Sequence, residues 1–333
     1  MAIDLLGIQP HKVSRDLSGY ITYIYGAPKT GKTTLATQMP NALLLAFERG
    51  YNALPGVMAQ DITTWGEMKQ VYKELKKPAV KDVYKSIIVD TVDEASEMCQ
   101  KYICQQKGIE SLGDLGYGKG WSAFNTEFAE VFRGLTQMGY AVFFIGHDKE
   151  VNITNNDGNV ERVVIRPRLG GKASVIVSGM ADIYGYAHQK NKGEMSVLTL
   201  RCGDDSIECG GRFKYIKSEF PMSYDNLVNA VSEAIDKEAE EHGNEYVTDE
   251  KETITQKPVY DFDELMSEFQ GLAGDIMTAN ASNSVKITAI IEKYLGKKKK
   301  IAEATPEQVE MVYLIVQDLR DLRDETMNIN DIQ

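Results

Sequence analysis

Four short runs of apolar residues stand out in the first half of the chain, at 21–25, 42–47, 86–89 and 140–145. A strand with one solvated face alternates apolar and polar positions, whereas a strand covered on both faces is apolar throughout, so these runs read as buried parallel strands. Between them lie stretches of helical spacing, at 66–77 and at 123–138, where Phe124, Phe128, Val131, Phe132 and Leu135 recur on one face. Strand and helix in alternation predict an α/β core with a mostly parallel central sheet.

After residue 150 the pattern changes. Runs at 151–154 and 160–165 flank Asn155-Asn156-Asp157-Gly158-Asn159, the composition of a hairpin turn. Further strands are predicted at 182–187, 195–201 and 212–216, and a helix at 223–240. Residues 241–260 are acidic, poor in large apolar side chains and end at Lys257-Pro258, which reads as a linker. Helical periodicity returns from 261 to 325, where Thr305-Pro306-Glu307-Gln308 supplies an N-cap, a Pro at the first helical position and a Gln three residues after the cap. The expected organisation is therefore an α/β domain over 1–236, an acidic linker over 237–260 and a small C-terminal helical domain over 261–333.

Composition narrows the function classes. With 43% apolar and 26% charged residues, and no apolar run near the ~20 residues needed to cross a bilayer, a membrane protein is excluded. Met1-Ala2-Ile3-Asp4-Leu5-Leu6-Gly7 has no basic stretch before an apolar one, so a cytoplasmic location is expected. The spacing of Cys99, Cys104, Cys202 and Cys209 fits neither a disulfide framework nor a zinc knuckle. The net charge of -12 is concentrated at the end: residues 237–333 hold 11 Lys/Arg against 21 Asp/Glu, leaving the front portion near neutrality and able to present a basic patch.

The chemistry begins at Gly26-Ala27-Pro28-Lys29-Thr30-Gly31-Lys32-Thr33, followed by Thr34, which satisfies G-x-x-x-x-G-K-[ST] between a predicted strand and a predicted helix. The glycines let successive N–H groups face phosphates, Lys32 reaches the β- and γ-phosphates, and the Thr33 hydroxyl ligates Mg2+. Asp90, at the end of Ile87-Ile88-Val89, is the acid that would complete the Mg2+ site. Thr follows Asp90, so a base for hydrolysis must come from elsewhere. Glu48, at the end of the strand after the P-loop helix, is favoured over Asp93 and Glu94.

With Ala46-Phe47-Glu48-Arg49-Gly50, Ile87-Ile88-Val89-Asp90-Thr91 and Phe144-Ile145-Gly146-His147, the P-loop makes the sequence resemble the RecA-like recombinase ATPases. The resemblance covers about residues 15 to 220 and is greatest to short phage-encoded versions linked to single-strand annealing. It implies a RecA-like P-loop NTPase core that binds ATP with Mg2+, with Glu48 activating water and His147 sensing the γ-phosphate, a place where bacterial members often carry Gln.

The resemblance also implies a homo-oligomeric ring or filament on single-stranded DNA, with a single-strand-binding protein as a further partner and no membrane. Two DNA-facing loops are expected. Tyr117, Lys119 and Trp121 lie among glycines in one, where the aromatics could stack on bases. Arg162, Arg166, Arg168 and Lys172 lie around Gly170-Gly171 in the other, though such cations also suit a solvated hairpin. Arg212, Lys214 and Lys217 resemble the cations a neighbouring subunit contributes to the ATP site. The function this implies is ATP-dependent annealing or strand exchange in phage recombination or replication. The alternative is a P-loop switch or loader acting on a protein partner such as a replicative helicase.

Overall fold

The computed structural model describes residues 8, 10–154, 160–199, 206–250 and 260–330, with side chains to residue 326. It divides into two compact units, Met1–Gln256 and Lys257–Gln333.

The first unit opens with β1 (Val13–Ser14), β2 (Ile21–Gly26) and α1 (Lys32–Ala36), then β3 (Ala42–Ala46), β4 (Ala59–Asp61), α2 (Trp65–Leu75) and α3 (Pro78–Val83). It continues through β5 (Ser86–Asp90), α4 (Val92–Lys107), α5 (Lys119–Gln137), β6 (Ala141–Gly146), the pair β7 (Asp148–Thr154) and β8 (Val160–Pro167), and α6 (Gly171–Met180). It ends with β9 (Ile183–Asn191), β10 (Glu194–Leu198), β11 (Gly210–Gly211), β12 (Glu219–Pro221), α7 (Tyr224–His242) and β13 (Val247–Thr248).

The large sheet has the order β12-β10-β9-β2-β6-β5-β3-β4, with β11 added to β9. From β9 to β4 all neighbours are parallel; β10, β11 and β12 are antiparallel. The central apolar runs divide alternately between two layers. Tyr23, Tyr25, Leu45, Val89 and Phe144 face a layer closed by α2, α4, α5 and α6, while Ile24, Leu44, Ile88 and Phe143 face α1 and α7. Burial on both faces is why these strands read as unbroken apolar runs.

The second unit packs α8 (Phe262–Ala279), α9 (Ser284–Leu295) and α10 (Val309–Asn330) around their own core, which includes Phe269, Ile276, Ile287, Val312, Ile315 and Leu319. The expected Thr305–Gln308 capping box is present.

Three expectations need correction. The segment 212–216 is not a strand: β11 stops at Gly211, and a turn buries Ile216 while Lys214 pairs with Glu241. The linker expected from 237 instead begins as helix, because Ala239 is buried and α7 runs through to His242; beyond it β13 pairs with β1. Residues 251–259 lie outside the described residues, as do 155–159 of the expected hairpin turn. The expected loop around Gly170-Gly171 gives way to α6, whose Ala173 and Val177 are buried, and this places Lys172 in a helix.

Among the described residues no helix is long and apolar enough to cross a membrane. Cys99 and Cys104 are free thiols, Cys209 is buried, and Cys202 lies outside the described residues.

Candidate functional site

The first motif glycine ends β2 at Gly26, where a side chain would strike the carbonyl of Ala187 on β9, and Gly31 takes a φ of +88° to start α1. Lys32 is 5% exposed. Its ammonium donates to the carbonyls of Gly26 and Ala27, both at 2.7 Å, and so lies under the loop that Ala27, Pro28, Lys29 and Thr30 form. Burial pulls the Lys32 pKa down, and the charges of Asp90, Asp148 and Glu48 act against that. Thr34 follows on the exposed side of α1.

Thr33 Oγ1 donates to Asp90 Oδ2 at 2.7 Å. Asp90 is 2% exposed, and burial first of all pushes its pKa up to about 6, with the Thr33 hydrogen bond opposing. A hydroxyl and one carboxylate, placed beside a phosphate loop, are hard oxygen donors of the kind that would hold Mg2+. The neighbouring residue is Gly50, whose added Cβ would stand 3.4 Å from Asp90 Oδ2 and 3.5 Å from Thr33 Oγ1, filling the space beside the pair. These residues fit the ion. Among the described residues no three His, Cys, Asp or Glu side chains gather as a metal site of their own.

The ends of β3 and β5 are tied together by the N–H groups of Phe47 and Glu48, which donate to the Asp90 carbonyl at 2.7 and 3.2 Å. This brings Glu48 beside Asp90. Across from it, His147 Nε2 lies 3.1 Å from Glu48 Oε1 and 3.3 Å from Oε2. Their contact lowers the Glu48 pKa and raises that of His147. His147 Nδ1 is buried without a hydrogen bond, so the neutral ring carries its proton on Nε2 and donates it to Glu48. The backbone of His147 is fixed as well: its N–H donates to Asp93 Oδ2 at 2.8 Å.

Over residues 18–218 the sequence matches the AAA domain family. The chain belongs to that family. It is also 30% identical over 328 residues to the SPbeta prophage-derived uncharacterized protein YorG of Bacillus subtilis (strain 168), covering 97% of this chain and 99% of that protein. Among solved structures, a KaiC-like protein from the hyperthermophilic archaeon Pyrococcus horikoshii aligns at 14% identity over 54% of this chain and 77% of its own, with a TM-score of 0.31. The family match and the P-loop make the protein a P-loop NTPase.

Within the AAA domain, the other residues singled out from sequence fall into two groups. Tyr117 is fully exposed, and Trp121, 44% exposed, walls an open groove of about 630 Å3 that runs along α4 past Gln100 and Gln105. Lys119 is exposed between them at the start of α5. Arg162 and Lys172 are exposed too. Arg166 and Arg168 are engaged with carboxylates. Arg166 Nε stands 3.6 Å from Glu208, and Arg168 reaches Glu94 at 3.4 Å and Glu97 at 3.2 Å. Glu97 also lines the Trp121 groove, so the two expected DNA-facing elements border one face of α4.

Arg212 and Lys214 line a cavity of about 780 Å3 with Ile21, Tyr140 and Asp182, the residues that precede or begin β2, β6 and β9. This is the strand end opposite the P-loop. Arg212 pairs with Asp182 at 3.2 Å, Lys214 with Glu241 at 2.9 Å and Lys217 with Glu233 at 2.6 Å. None of the three reaches the P-loop of its own chain.

Gly50 has no role legible in the sequence, where Asp93 is only a rival base. Asp93 is tied to the backbone of His147 by accepting from its N–H, and Glu94 is paired with Arg168.

Proposed function

We propose that the protein is an oligomeric ATPase that acts on single-stranded DNA in phage recombination or replication, by annealing or strand exchange. The observation that carries the hydrolytic part is the contact between Glu48 and His147 beside Lys32 and the Thr33–Asp90 pair. Mg2+, held by the Thr33 hydroxyl and the Asp90 carboxylate, would neutralise charge on the β- and γ-phosphates of ATP.

The protein's own groups account for the remaining steps. The N–H groups of the P-loop and the Lys32 ammonium bind the phosphates. Glu48, kept ionised by His147, accepts the proton of the attacking water as that oxygen bonds to the γ-phosphorus and the bond to ADP breaks. His147 can turn its Nε2–H from Glu48 to a γ-phosphate oxygen, which frees the carboxylate for water only when ATP is present. In an oligomer, Arg212, Lys214 and Lys217 would face the ATP site of the adjoining subunit.

The DNA part rests on exposed Tyr117 and Trp121 and on the prophage origin of the relative. One observation favours a second reading, in which the ATPase is a switch or loader for a protein partner. Arg166 and Arg168 are already engaged with carboxylates, and a cation so engaged contributes less to phosphate binding. ATP hydrolysis measured with and without single-stranded DNA separates the two: stimulation supports the DNA reading, and an unaltered rate supports the protein-partner reading.

A further inference from the structure

The C-terminal unit carries a surface of mixed apolar and basic character on α8, α9 and the loop that follows. Phe269 and Met277 lie two helical repeats apart on one face of α8, and Ile287 and Ile291 four residues apart on one face of α9. Together they line an open groove of about 450 Å3 whose wall also includes Lys298, Lys299 and Lys300. Phe269, Ile287 and Ile291 are buried at its floor, whereas Met277 remains 47% exposed.

The lysines are unevenly placed. Residues 261–333 hold 8 Lys/Arg against 14 Asp/Glu, and 4 of those 8 cations are the consecutive Lys297 to Lys300. Their loop is shaped by its backbone: the Lys298 N–H donates to Glu292 Oε1 at 2.7 Å, Lys298 has a φ of 62°, and the Lys299 N–H donates to the Gly296 carbonyl at 3.2 Å. Lys299 pairs with Glu303 at 3.0 Å, while Lys298 and Lys300 point exposed ammonium groups at solvent without an ion pair among the described residues.

We propose that this groove docks an acidic segment of a partner protein that carries apolar anchor residues. The lysines supply the charge complement, and the apolar floor takes the anchors, as an amphipathic segment fills a groove between helices. Nucleic acid suits the groove less well. Its one aromatic ring among the described residues, Phe269, is 7% exposed and offers no stacking surface for a base.

The test uses the full chain and two fluorescein-labelled peptides: four aspartates followed by two leucines and a phenylalanine, and the same peptide with serines for the apolar residues. Anisotropy should show the first binding and the second at least about tenfold weaker. Lys298→Glu with Lys300→Glu should weaken the first peptide by about tenfold, and the uncharged Met277→Ser should weaken it separately, with less dependence on salt. An unchanged unfolding midpoint and ATPase rate in both variants would show that the fold is intact. Equal binding of the two peptides, unchanged binding by the variants, no binding at about 1 mM peptide, or displacement by an oligothymidine each overturns the proposal.

Discussion

His147 Nε2 lies 3.1 Å from Glu48 Oε1, joining the ends of β6 and β3 across 99 residues of sequence. The contact is held from both sides. Glu48 is fixed through its N–H on the Asp90 carbonyl, and His147 through its N–H on the Asp93 carboxylate. A candidate base and a candidate phosphate sensor therefore meet beside the same pair, Thr33 and Asp90, that would hold the metal.

Glu48→Gln is expected to keep nucleotide binding and to slow hydrolysis by about 10² or more, the scale of a lost general base. Asp93→Asn keeps the size of the side chain but weakens the acceptor for the His147 N–H, so its effect should be smaller. Single-turnover hydrolysis in the two variants ranks them; a slower Asp93 variant would move the base to Asp93.

Lys32→Ala removes the ammonium that now bridges the Gly26 and Ala27 carbonyls, together with the charge that meets the phosphates. Binding of a fluorescent ATP analogue should be lost or nearly so. Wild-type affinity in this variant would mean that the phosphates lie elsewhere.

The His147 pKa is raised in the folded protein, chiefly by Glu48. A group of this kind stabilises the fold fully below its unfolded pKa of about 6.5, and that contribution is lost as pH rises through the higher folded value. Urea unfolding of wild type and His147→Gln should therefore differ most near pH 6 and converge toward alkaline pH. A difference that grows with pH would contradict the pairing.

Much of this site can be read along the chain, because each strand end is a local signal: an apolar run followed by Glu48, by Asp90 or by His147. The meeting of Glu48 with His147 is not local, since it depends on β5 lying between β3 and β6 and on the register of three strands. The segment 212–216 misleads for a related reason. Its alternating Arg212, Phe213, Lys214 and Tyr215 imitate a half-buried strand, yet the cations are held by Asp182 and Glu241 from other parts of the fold. Gly170-Gly171 reads as a loop, but the two glycines only precede and open α6, which buries Ala173 and Val177.

Gly50 provides a test of the metal position. An alanine Cβ there would meet Asp90 Oδ2 and Thr33 Oγ1 at ordinary contact distance, so Gly50→Ala should change stability by no more than about 0.5 kcal/mol. It would also occupy space beside both candidate metal donors. ATP hydrolysis titrated with Mg2+ should need a higher concentration in the variant, and an unchanged Mg2+ midpoint would place the ion away from Gly50.

Trp121 and the hairpin arginines make separable claims about DNA. Trp121 is exposed at a groove and carries no charge, so Trp121→Ala should cost about 1–3 kcal/mol of affinity for a single strand if a base stacks there, with little change in salt dependence. Each cation that meets a phosphate should contribute about -0.7 to the slope of log affinity against log salt. Arg168 would first have to leave Glu94 and Glu97, and Arg166 would have to leave Glu208. Replacing both by Ala should therefore flatten the slope only if ATP rearranges the hairpin. Titrating a labelled oligonucleotide at two salt concentrations, with and without a slowly hydrolysed ATP analogue, measures both terms. Binding that needs the analogue, weakens in the Trp121 variant and flattens in the arginine variant supports an ATP-gated strand binder. An absence of binding in all conditions removes DNA as the partner and leaves the switch that acts on a protein.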